Sequence, residues 1–141
     1  MSGDRPSSGS RRSRVVVGIG ARRGVSGAAV RAALAVVRDV TGAGADVVYA
    51  SVEAKAGEQG ILDAIAPARL EVRPAAALAG VAVPGSVRVG EAVGTPSVAE
   101  AAALLVASEL GAPRLVVPKT IVGDVTVAAA RVEHTSLTSG D

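Results

Sequence analysis

Residues 15–30, VVVGIGARRGVSGAAV, place a glycine-rich turn between a β-branched run and a helical pattern. Such a turn lets the backbone approach a ligand closely and aims the first amides of the following helix at an anion. Gly18, Gly20 and Gly24 supply the permissive positions, Ser26 a hydroxyl, and Arg22 and Arg23 planar cations suited to carboxylates. The spacing argues against a dinucleotide. The glycines read GxGxxxG, Arg23 stands where the third glycine of GxGxxG belongs, and no acidic residue closes the second strand: Asp39 lies in the helical stretch and Glu53 is too distant. A triphosphate loop fails because no Gly-Lys-Ser/Thr triplet occurs. Two readings remain. Either the turn binds an anion with Arg22 and Arg23, or its glycines only reverse the chain and both arginines are surface charges.

Three other places could carry chemistry. In GTPSVAE, Thr95 and Ser97 stand at a helix start, where hydroxyls hold an anion or simply cap the helix. Lys119, in VPKT, is expected at the C-terminal end of a buried strand. Open α/β sheets collect ligands at those ends, so if this strand runs parallel to the first, Lys119 shares a rim with Arg22 and Ser26. It is one of two lysines in the chain. The other, Lys55, falls with Glu53 and Glu58 in EAKAGEQG, which reads as a rim patch or as an exposed charged loop.

Composition closes off whole classes of function. The 141 residues are 49% hydrophobic but 1% aromatic, with one Tyr and neither Phe nor Trp. Base-stacking platforms for single-stranded nucleic acid are excluded, and so is disorder over most of the length. With no Cys and one His, His134, the chain offers no zinc cluster, iron-sulfur site, disulfide or thiol nucleophile, so no metal site is expected. No apolar run reaches spanning length and residues 1–14 hold no apolar core, so a soluble, cytoplasmic protein with no membrane partner is expected. The net charge is +2. Arg5, Arg11, Arg12 and Arg14 in that N-terminal stretch account for it, so the basic character is that of a Ser/Gly/Arg tail rather than of a nucleic-acid surface.

The elements that would position these groups follow from periodicity. Val15–Ile19 is the pattern of a strand buried on both faces. Val30, Ala33, Leu34 and Val37 then recur at helical spacing, with Arg31 and Arg38 opposite. A second strand is expected over Asp46–Val52, a short helix over Gly57–Ala66 stopped by Pro67, a third strand in LEVRP, and a brief helix in PAAALAG with Pro first and Gly last. VAVPGSVRVGEAVGTPS reads as a loop. After it Ser97 and Glu100 form a capping box ahead of VAEAAALLVASEL, apolar on most faces and so packed on more than one side. RLVVPK and DVTVAAARV close the chain as a hairpin separated by TIVG. The expected fold is α/β: a three-layer α/β/α sandwich whose mixed, mainly parallel sheet ends in an antiparallel hairpin. One domain over residues 15–132 is expected between a disordered basic tail, 1–14, and a polar tail, 133–141.

Four blocks in order, VVVGIGARRGVS, VEAKAGEQG, VGTPSVAEAAALL and VPKTIVGDVTVAAAR, give the chain a resemblance to the CobE proteins and the C-terminal domain of CbiG, from cobalamin biosynthesis. It runs from about Val15 to Arg131. The resemblance implies an α/β domain acting in the corrin-ring pathway, where CbiG opens the lactone of a cobalt-precorrin and releases acetaldehyde. Two departures stand out. Ala21 occupies the position often held by Cys in GIGCRRG, which removes any mechanism needing that thiol. The domains that precede this one in CbiG have no counterpart in the sequence, which suggests a stand-alone CobE-like chain.

The leading expectation is a protein that binds a carboxylated corrin intermediate for ring modification or handover. Gly18, Gly20, Arg22, Arg23, Gly24, Ser26, Lys55, Thr95 and Ser97 would form the binding edge above an aliphatic floor. If a step is catalysed, Lys119 and Glu53 are the acid/base candidates, and a Lys base needs burial beside another cation. No cofactor of its own is expected, since cobalt would arrive inside the ligand. Other cobalamin-pathway enzymes are candidate partners, and the apolar late helix could bury a face in a homo-oligomer. The competing reading is a small nucleotide-binding or regulatory α/β domain built on the glycine-rich turn.

Overall fold

The structure, a computed structural model, describes residues 14–42, 46–81 and 97–133. In chain order these form β1 (Arg14–Ala21), α1 (Gly27–Thr41), β2 (Asp46–Val52), a 3-10 turn (Glu53–Lys55), α2 (Gln59–Ile65), β3 (Leu70–Arg73), α3 (Ala75–Ala79), α4 (Val98–Leu110), β4 (Ala112–Val122) and β5 (Val125–Glu133). Arg14 and Glu133, expected in the tails, are therefore the outer residues of strands. Residues 82–96 of the expected loop between α3 and α4, Thr95 among them, lie outside the described residues, as does His134. Among the described residues no helix is long and apolar enough to cross a membrane.

The sheet order is β3-β2-β1-β5-β4. β1 pairs in parallel with β2, and β2 with β3, whereas β5 lies antiparallel to both β1 and β4. β4 thus points the same way as β1, and only β5 is reversed. Side chains alternate across β1 into two cores. Val15, Val17 and Ile19 meet α1 and α2 through Val30, Ala33, Leu34, Val37, Ile61 and Ile65. Val16 faces the opposite layer, where α3 and α4 bury Leu78, Ala101, Ala102, Leu104 and Val106 against Ala50, Ala130 and Val132. Helices cover both faces, which is why β1 has no polar alternation.

Small side chains let α4 lie close to the sheet. Gly18 faces its first turn, and a Cβ built there would stand 1.9 Å from the Ala99 carbonyl oxygen. Its far end is tied to the sheet edge by a two-pronged pair in which Arg73 Nε and Nη2 donate to the Glu109 carboxylate at 2.9 and 2.5 Å. That hydrogen bond holds the Glu109 carboxyl below the usual carboxylate range.

Four expectations need correction. β4 runs through Thr120, Ile121 and Val122, part of the expected TIVG connector, and the turn is only Gly123–Asp124. The β-branched residues continue the ladder, and Gly123, at φ 61°, supplies the positive dihedral that a two-residue hairpin needs. Nor is β4 a buried strand: it is a half-exposed edge, with irregular register around Pro118, as suits a residue without an amide proton. The short helix after β2 begins only at Gln59, because the chain first makes the 3-10 turn. Finally, only the first half of the capping box is present among the described residues. Ser97 Oγ accepts the Glu100 amide at 2.9 Å, but Glu100 Oε2 accepts the backbone amide of Lys119 at 2.7 Å. A local cap has been exchanged for a tie between α4 and β4.

Candidate functional site

The chain builds β1, β2 and β3 outward on one side, then crosses to the other side of β1 for β4 and β5. Strand order reverses at β1, and crevices form beyond strand ends at such a switch. There a cleft of about 430 Å³ opens, lined by Gly20, Ala21 and Arg22 from the end of β1 and by Ser97, Val98 and Ala99 from the start of α4. Lys119, Ile121 and Thr126 line it from the hairpin strands, with Gly123 and Asp124 from their turn.

Each wall has a local cause. Ser51 Oγ, fully buried on β2, donates to the Ile19 carbonyl at 2.6 Å and holds the departing end of β1. Gly18 sets the height of the first turn of α4, and the Glu100 bond sets Lys119 beside that turn. By helix geometry the amides of Val98 and Ala99 have no acceptor within α4, and both residues line the cleft with Arg22 and Lys119. Arg22 Nε lies 3.8 Å from Asp124 Oδ1 across the opening, an exposed pair. Val98 and Ile121, 42% and 66% exposed, add an apolar rim.

The residues singled out from sequence divide between this cleft and its supports. Gly20, Arg22, Ser97 and Lys119 line it; Arg23 is exposed on the turn outside the lining. Gly18 serves packing, and Ser26 caps α1 by accepting the Ala29 amide at 3.0 Å. Gly24 adopts φ 81°, but its amide donates to Glu58 Oε2 at 2.8 Å, so an incoming anion would have to displace a carboxylate already there. Lys55 Nζ lies 3.9 Å from Glu58 Oε1. Glu53 is exposed in the 3-10 turn and does not line the cleft with Lys119. Sequence reasoning missed Asp124, Thr126 and Ile121. The Gly-Asp pair between β-branched runs was the available signal for the turn that carries Asp124 into the site.

The family model for the cobalamin synthesis G C-terminus matches residues 15–130. The chain belongs to this family. Two solved structures support the CbiG C-terminal assignment. One is CobE, a protein from the cobalamin (vitamin B12) biosynthetic pathway, 30% identical with a TM-score of 0.68, over 86% of this chain and 92% of that one. The other is the cobalamin biosynthesis protein chiG from Agrobacterium tumefaciens, 36% identical with a TM-score of 0.60, over 87% and 99%. A search of the curated proteins finds no match. In this CbiG C-terminal chain, Ala21, the position that the resemblance often gives to Cys, is itself part of the cleft wall.

Proposed function

We propose that this cobalamin-biosynthesis protein of the CobE/CbiG type binds a carboxylated corrin precursor at the switch-point cleft, for ring modification or handover to other enzymes of the pathway in the cytoplasm. The observation that carries the reading is the convergence of Arg22, Lys119 and the α4 amides on one opening with an apolar rim. A corrin intermediate is flat and apolar in its middle and fringed with carboxylates. The cleft is too small for the whole ring. It takes one carboxylate-bearing edge, while the ring face lies over Ile121 and Val98. Any cobalt travels in the ligand, and Arg22 and Lys119 act as fixed charges toward its side chains.

The test is a visible-absorbance titration of cobyrinic acid, and of the corresponding metal-free corrin acid, against the purified protein. Amino-acid side chains do not absorb at visible wavelengths, so the spectrum followed is that of the ligand. A saturable shift at micromolar protein is expected; a flat titration for both forms overturns the reading.

Asp124 gives a second prediction of opposite sign. It is the chain's own carboxylate beside Arg22 and competes with an incoming one. Asp124→Asn should tighten binding at low salt by up to about fivefold, the range of an exposed ion pair, and the gain should fade as salt is added. Weaker binding by this variant would mean that Asp124 receives a donor from the ligand instead.

A further inference from the structure

Residues 22–25 close a turn, with the Val25 amide donating to the Arg22 carbonyl at 3.2 Å and Gly24 at φ 81° in its third position. That dihedral marks a type II turn. The Gly24 amide belongs to the central peptide of the turn, the plane whose flip interconverts types I and II. It is this amide that donates to Glu58. The Glu58 side chain is 12% exposed, does not cap its own helix, and is balanced by Lys55. The start of α2 is pressed against the same turn: a Cβ at Gly60 would stand 2.0 Å from the Val25 carbonyl oxygen, so nothing larger than glycine fits there.

We propose that Glu58, with Lys55 as its counter-charge, is a positioning residue that locks the turn carrying Arg22 and so presents Arg22 to the cleft. The effect on ligand rests on the function proposed above; the locking of the turn does not. Glu58 touches no ligand in this scheme. It accepts one hydrogen bond that holds one of two peptide orientations, and Arg22, the residue just before that Arg23–Gly24 peptide, keeps its place at the cleft mouth.

The test combines two readouts on Glu58→Ala, Glu58→Gln and Glu58→Asp. Amide exchange at Gly24 should accelerate by about tenfold or more in the Ala and Asp variants, which cannot reach it. It should stay near wild type in Glu58→Gln, whose carbonyl oxygen still accepts. In the cobyrinic acid titration, Glu58→Ala should weaken binding about tenfold, the lower end of what one charge-assisted hydrogen bond from Arg22 is worth. In an Arg22→Ala background the same change should cost almost nothing. Unchanged Gly24 exchange overturns the proposal, and so does an equal binding loss in both backgrounds. If the wild-type protein leaves the corrin spectrum flat, the proposed function falls and the exchange readout alone decides this inference. Should Glu58→Ala fail to fold, Glu58→Asp carries both readouts.

Discussion

Gly18→Ala should lower the melting temperature by about 10 °C or more, while Gly20→Ala, two residues along the same strand, should melt like wild type. The added Cβ at Gly18 would lie 1.9 Å from a backbone oxygen and 2.8 Å from its carbon, both in the first turn of α4. No rotamer change relieves that contact, because neither side is a side chain. Either α4 lifts from the sheet or β1 bends, and overpacking of this kind costs about 3 kcal/mol or more. In a domain of this size each kcal/mol is worth several degrees. At Gly20 the nearest atom is the Thr126 Cβ at 3.9 Å, an ordinary contact. Far-UV circular dichroism melts of the two variants side by side provide the check. Equal melting temperatures would mean that α4 does not sit where the structure has it.

The second large effect concerns ligand. Removing Arg22 and Lys119 together should weaken corrin-carboxylate binding by about a hundredfold, because a hydrogen bond to a charged group is worth about 1.5 to 3 kcal/mol and the lower figure suits an open cleft. Arg22→Ala also leaves Asp124 without its partner, so a bare carboxylate faces the incoming one and the two substitutions need not add. Arg23→Ala is the control. It removes an equal charge from the neighbouring position outside the cleft, and binding should change by less than about twofold, as for an exposed charge with no direct contact. If Arg23→Ala weakens binding as much as the double substitution, general electrostatic attraction is at work and the cleft is not the site.

Much of the architecture was legible because one physical signal repeated. Burial on one helix stripe showed as Val30, Ala33, Leu34 and Val37, and the same four are buried in α1. The β2 limits and the Ser97 cap were equally readable, since each depends on residues adjacent in sequence. Lys119 and Arg22 could be placed on one rim only conditionally, because strand direction is set by pairing partners far apart in the chain. The failures share that cause. Glu100 looked like half of a capping box because its local partner was visible and the Lys119 amide was not. The Gly-rich turn looked open to an anion because Glu58, thirty-four residues later, gave no local sign of filling it. Gly18 and Gly24 read as one motif, yet the first yields to a helix backbone and the second permits a left-handed turn.

The outer margin of β4 bears on how copies of the protein meet one another. A long bare strand margin is a template on which a neighbouring chain can stack. Along these eleven residues Pro113 and Pro118 remove two donors, and the register slips on either side of Val117. Proline in an edge strand and irregular register are the usual means by which such a margin is blunted. With its donors and its register broken in this way, β4 is a poorer template for a partner strand than an unbroken margin of the same length.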